Sequence, residues 1–344
     1  MANIQELSGT AVNEWLESTK ENTVEPDLKI CDAHHHFWDG RTEFGAYSRY
    51  ILDEFNQDIY GGHNICSTVF VEASAMYRSE GPENMRSVGE VEFVQGIAAA
   101  SASGLYGDCK AAAAIVGRAD LTLGESVKPV LEALNAASIN RFRGIRHAVN
   151  WDPDDEISNA TPATVQGQLL DPKFRAGAAV LSEMGMSFDV WLYFTQLLEL
   201  ADFARSLPDL TIVLNHIGGP VTIGRYLNKQ DEVMSTWKNG ITALAECNNV
   251  VVKLGGMARL FKWESRQEPI SSAEFARESS PFVNFCIEQF KPDRCMFESN
   301  FPVDKQSVSY NVLWNGFKKL CKGYSSDERS DMLHDTASRV YRID

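Results

Sequence analysis

Eight short runs rich in apolar, β-branched or alanine residues recur along this chain at fairly even intervals. They are 29–37, 66–73, 111–117, 142–149, 187–194, 210–218, 249–255 and 294–300. Stretches with helical spacing separate most of them. In 196–205 (QLLELADFAR), Leu197, Leu200, Ala201 and Ala204 recur at i, i+3, i+4 and i+7, one face of a helix. Segments 235–247 and 271–290 read likewise, and 326–342 reads as a closing helix. Runs such as VVVKL and TIVLN are apolar almost throughout, which suits strands of a parallel sheet covered by helices. Eight strands alternating with helices predict an α/β fold, a closed (β/α)8 TIM barrel rather than an open doubly wound sheet. The barrel is expected over 28–344 as one domain, behind an N-terminal arm of residues 1–27. In that arm 11–20 can form a short amphipathic helix, and Pro26 stops it before the first strand. Stretches 44–62, 151–170 and 257–281 are too long for bare turns and are expected to be insertions.

Composition narrows the partners. The net charge of −15, from 32 basic and 47 acidic residues, and the lack of a Lys/Arg run argue against nucleic acid or an anionic membrane surface. The seven cysteines are widely spaced and include no C-x-x-C pair, so neither a disulfide framework nor a zinc knuckle is supported. The N-terminus is polar, and no apolar run approaches the ~18 residues of a spanning helix. A reduced, cytoplasmic protein acting on a small molecule is the expectation, with self-association into a homo-oligomer left open.

The densest chemistry lies in 29–40, KICDAHHHFWDG. On a strand, alternation puts Asp32, His34 and His36 on one face and His35 on the other. Imidazoles at i and i+2 can converge on one metal ion or one substrate oxygen. Such a cluster can equally be an internal hydrogen-bonding knot, so its context decides. Barrel enzymes carry catalysis at the C-terminal ends of strands. The residues predicted there include Glu72, Ser74, Tyr77 and Arg78; Arg118; Arg146, His147 and Asn150; Tyr193; His216 with Gly218 and Gly219; Lys253; and Glu298, Asn300 and Asp304. Five of the seven histidines fall at such ends, all but His63 and His334.

H-x-H closing the first strand, L-N-H-x-G-G-P at the sixth and F-E-S-N-F-P-V-D at the eighth resemble the amidohydrolase superfamily. D-A-H-H-H-F-W-D and G-I-R-H are similar to its amidohydrolase-2 subgroup of sugar-lactone and pyrone or muconolactone hydrolases. The resemblance runs from about Lys29 to the C-terminus. It implies that His34, His36 and His216 bind one divalent metal, Zn or Mn, or contact the substrate directly in a metal-free mechanism. Asn300 stands where the family usually has the aspartate that takes the proton of the attacking water, and a carboxamide has no accessible pKa. The strand-5 segment VWLYFTQL lacks the histidine of many metal-dependent members, and Lys253 lies on strand 7, so a binuclear site is not expected.

The expected reaction is hydrolysis of a lactone or related cyclic ester of a small, carboxylated molecule. Asp304 is the leading base and Glu72 the second. Arg146 and Arg78 are candidates to hold an anionic group, because the guanidinium fork suits bidentate contact. Glu72, Tyr193 and Trp151 complete the candidate substrate contacts, and Trp38, Tyr47 and Tyr50 could wall a flat substrate or simply pack under loops. His147 alternates with Arg146, so one of the two should face the helices. Two alternatives stand beside this reading: a metal-dependent decarboxylase or hydratase of an unsaturated or aromatic acid, and a catalytically silent binding barrel.

Overall fold

The structure is a computed structural model and describes residues 8–41 and 46–343. Eight strands form one sheet in sequential order: β1 (Lys29–His35), β2 (Asn64–Val71), β3 (Lys110–Gly117), β4 (Phe142–Arg146), β5 (Ser187–Val190), β6 (Ile212–Leu214), β7 (Val250–Leu254) and β8 (Cys295–Phe297). Every neighbouring pair is parallel. Just past β8, Asn300 N donates to His34 O and His36 N to Phe301 O, each at 2.8 Å. These bonds bring the last strand against the first and close the (β/α)8 barrel.

Twelve α-helices accompany the strands: α1 (Gly9–Glu17), α2 (Leu52–Ile59), α3 (Val88–Ala102), α4 (Lys128–Ala137), α5 (Pro172–Glu183), α6 (Leu197–Ser206), α7 (Gln230–Ala245), α8 (Ala258–Phe261), α9 (Ser272–Phe290), α10 (Tyr310–Leu320), α11 (Ser326–Ser330) and α12 (Thr336–Tyr341). The stretch 44–62, whose first residues lie outside the described ones, carries α2. The second half of 257–281 is not loop but the start of α9. There the Ser271 and Glu274 side chains cap each other's backbone N–H groups. The closing helix is broken by a π turn at Asp331–Asp335 between α11 and α12.

The core has two layers. Cys31, Ala33, Val69, Val71, Ala114, Val116, Val213, Val251 and Met296 fill the barrel interior, and Tyr341 of α12 packs among them. Arg143 Nε donates to Tyr341 O and Arg342 Nη1 to Gly185 O, so the tail is fixed at the N-terminal ends of β4 and β5 and plugs that end. The larger apolar cluster, including Phe70, Ile115, Phe188 and Leu254, joins strands to helices outside. The closed lower end leaves the C-terminal ends of the strands as the place for a cavity.

Candidate active site

Alternation along β1 does not hold to its end. The register against β2 shifts between Asp32 and His35, which marks a bulge. Asp32 therefore turns away from His34 and His36, contrary to simple strand parity. Its carboxylate accepts from Ser299 N (2.8 Å) and from Tyr310 OH on α10 (2.9 Å). Burial pushes the Asp32 carboxyl up to about 6 despite those donors. His35 does face the helices, stacked on Phe55 with ring centroids 4.5 Å apart.

His34 and His36 converge, with their Nε2 atoms 3.3 Å apart. Both are buried, and burial, reinforced by Lys253 and Arg146, holds their pKa values well below the ordinary histidine range. The tautomer of His36 follows from its surroundings. Nδ1 lies 2.8 Å from Val71 O, an acceptor, so Nδ1 carries the proton and Nε2 a lone pair. Asn300 Nδ2 donates to Asp304 Oδ1 (2.8 Å), which turns Asn300 Oδ1 toward His36 Nε2 at 3.2 Å. Two acceptors thus face each other with no proton between them.

The sixth strand brings His216 beside this pair, its ring centroid 4.7 Å from that of His34. Both His216 and Ile217 sit in left-handed backbone (φ 52° and 51°), which ends β6 early and stores strain at the site. The neighbouring glycines explain how such a turn fits. A Cβ on Gly219 would lie 2.2 Å from Leu192 O, and one on Gly256 would lie 2.1 Å from His216 Nδ1.

Glu298, just past β8, links these histidines. Its Oε1 accepts from His216 Nδ1 (2.7 Å), and its Oε2 lies 2.9 Å from His34 Nδ1 without a properly directed hydrogen bond. A single carboxylate so turns the Nε2 of His216 away from itself and pins both rings. Glu298 stood at a predicted strand end, yet motif matching fixed on Asn300 two residues on and gave it no role. His34, His216 and Glu298 offer ligand-type atoms within 4.8 Å of one another. The His216–Glu298 contact, however, has the length of a hydrogen bond. Ligand atoms about 3.3 Å apart are what a tetrahedral ion with bonds of about 2.0–2.1 Å requires. The His34 Nε2–His36 Nε2 (3.3 Å) and His36 Nε2–Asn300 Oδ1 (3.2 Å) spacings match that value, and a carboxylate behind a histidine ligand is the usual supporting contact. The donor set fits a divalent metal.

A cavity of about 630 Å³ opens above this cluster and is lined by His36, Glu72, Arg118, Arg146, Tyr193, His216, Asn300 and Asp304 among others. Arg146 is already engaged: its Nε donates to Glu72 Oε1 at 2.8 Å, and Nη1 lies 3.4 Å from His34 Nε2. Burial raises the Glu72 carboxyl, but the charges of Arg146 and Arg118 outweigh it and hold Glu72 below its usual range. An acid so stabilised as its anion is a poor base. Arg118, by contrast, makes no hydrogen bond or ion pair among the described residues and faces the same cavity. Tyr193 OH donates to Ser158 O, tying the long loop after β4 over the cavity.

Other predicted residues lie elsewhere. Arg78 is paired with Glu92 on the surface, and Trp151 does not line the cavity, its backbone N–H being bound by Gln196. Tyr47 and Tyr50 are buried over Lys305, and only Trp38 of the aromatic set besides Tyr193 reaches the cavity. His147 is the residue of its pair that faces the helices, against Phe174 of α5.

The amidohydrolase family model matches residues 31–343. An uncharacterised protein of Sinorhizobium fredii is 31% identical over 330 residues, 92% of this chain and 99% of that one. An L-fucono-1,5-lactonase of Burkholderia multivorans is 23% identical over 321 residues, covering 91% and 95% of the two chains. A crystal structure of a zinc-bound amidohydrolase from Burkholderia multivorans superposes with a TM-score of 0.71 at 23% identity, covering 92% of this chain and 99% of the other. With the barrel, the histidine cluster and the family match in agreement, the chain belongs to the amidohydrolase family and is a hydrolase.

Proposed function

We propose that this protein opens a lactone or related cyclic ester of a small molecule that carries an anionic group. One observation carries the reading: His34 Nε2, His36 Nε2 and Asn300 Oδ1 lie in succession at the cavity floor, 3.3 and 3.2 Å apart, with the lone pair of His36 facing Asn300. The relative named as a lactonase supports the reaction class.

His34, His36 and Asn300 would hold a divalent metal, with His216 alongside. When bound, such an ion supplies Lewis-acid polarisation of a carbonyl and acidifies water. The protein's own groups do the rest. Arg146, at the cavity wall, donates toward the oxyanion that develops when water adds to the lactone carbonyl. Asp304, which lines the cavity beside Asn300, takes the proton of that water. The C–O bond of the ring then breaks, and the same proton passes from Asp304 to the leaving alkoxide, giving the hydroxy acid. Arg118, which makes no hydrogen bond or ion pair among the described residues, anchors the anionic group of the substrate in place of Arg78.

The test is elemental analysis of protein purified without added metal, together with lactone opening followed by acid release. Hydroxy-acid formation with uptake of one water per turnover is expected. Release of CO2 without water uptake would replace this reading with a decarboxylase.

A further inference from the structure

The cavity walls are divided by strand order. From the ends of β1 to β4 come the charged or polar His36, Glu72, Arg118, Arg146 and Asn150, beside the apolar Trp38, Ala73 and Ala148. From the loops after β5 to β8 come Trp191, Val221, Ile223, Leu260 and Val303. These five are half-buried although they pack on the core, so each leaves apolar surface at the cavity. Apart from Asn300, Asp304 and His216 Nε2 at the floor, the polar side chains of this second wall are bonded within the protein. Thr222 Oγ1 donates to Leu260 O, Tyr193 OH to Ser158 O, and His216 Nδ1 is held by Glu298.

Such a wall offers few partners to hydroxyl groups. A polyhydroxylated ring pressed against it would leave its hydroxyls desolvated and unpaired, a penalty that separates substrates strongly. A cavity of about 630 Å³ also lies within the range of drug-sized ligands. We infer that the substrate is a lactone with a hydrocarbon body, an alkyl or aryl substituent seated on the β5–β8 wall, rather than a polyhydroxylated sugar lactone. The inference rests on the lactone-hydrolase reading for its reactive group and on the two-sided cavity for its substituent.

The experiment uses the full-length protein and γ-lactones of graded chain length, from unsubstituted to hexyl, beside a sugar aldonolactone. The matching unreactive lactams are titrated calorimetrically. Each methylene is expected to raise kcat/KM and lactam affinity about three- to fourfold until the wall is covered. The hexyl lactone is expected to exceed the sugar lactone at least tenfold. Leu260→Asp and, independently, Ile223→Asp are expected to flatten the dependence on chain length. A preference for the sugar lactone, or lactam affinity independent of chain length, overturns the inference while leaving lactone hydrolysis intact. Rising lactam affinity without turnover of any lactone upholds the hydrocarbon seat and rejects the lactone-opening reading instead.

Discussion

At the cavity floor, Glu298 holds His216 by a hydrogen bond and lies beside His34, whose Nε2 meets that of His36 at 3.3 Å. Deeper in the barrel, Lys253 and Asp189 are also fully buried, but there donors converge on one carboxylate oxygen. Lys253 Nζ (2.8 Å), Tyr341 OH (2.8 Å) and Asn215 Nδ2 (3.2 Å) all donate to Asp189 Oδ2. The lower group is an ion pair that holds the plugging tail to β5 and β7, with Asp189 Oδ1 left without a hydrogen bond among the described residues. In the upper one the lone pair of His36 Nε2 faces Asn300 Oδ1, an arrangement that suits a cation or reacting group. Buried charge thus serves shape in one layer and chemistry in the next, and the layers touch where Lys253 Nζ lies 3.4 Å from His34 Nδ1.

The largest expected effect tests the lower group. Asp189→Ala leaves Lys253 buried without its counter-charge and should lower unfolding free energy by about 3–5 kcal/mol in urea titrations, with apolar replacement of both partners recovering most of it. Near-native stability with lost turnover would instead move Asp189 into the active site. His36→Ala should cut kcat/KM by about 10²–10⁴-fold, with unfolding free energy unchanged or raised. A loss of stability matching the loss of rate would erase the contrast between the layers. Glu298→Gln keeps the shape of the side chain but removes its charge. Metal affinity and turnover are each expected to fall about 10–100-fold, read by metal titration and by initial rates.

A separate test, through pH, concerns a third buried acid, Glu90 on α3. Burial first, then the charge of Glu72, raises its carboxyl to about 8. Its Oε1 accepts from Ala73 N and Ala75 N, while Oε2 has no partner. A folded-state pKa above the unfolded one means the native state holds the proton more tightly. That contribution to stability is therefore whole below about pH 4.5 and is lost as pH rises through 8, with a slope of at most about 1.4 kcal/mol per pH unit. Glu90→Gln should remove this part of the slope in urea unfolding measured from pH 5 to 9.

Much of the frame was legible from residue order. Each of the eight runs overlaps a strand, because most parallel strands buried on both faces are largely apolar. The motif pairs His34 with His36 and His216 were legible for the same reason: they close strands. Asp32 was misplaced because a bulge is a property of how two strands pair and leaves no mark in alternation. Glu298 and Asp189 were passed over because a lone acid in or beside an apolar run looks alike whether it is bound by histidines, by a lysine or by nothing.

The amino-acid order alone determined the barrel, its strand count and the family, since periodicity and strand-end motifs are local along the chain. Only the folded structure decided which nitrogens of His36 and His216 carry protons, which arginine at the cavity lacks a hydrogen bond among the described residues, and where the apolar patch of the cavity lies. Those properties belong to partners 30 to almost 300 residues apart, whose distances exist only once the sheet has closed on itself.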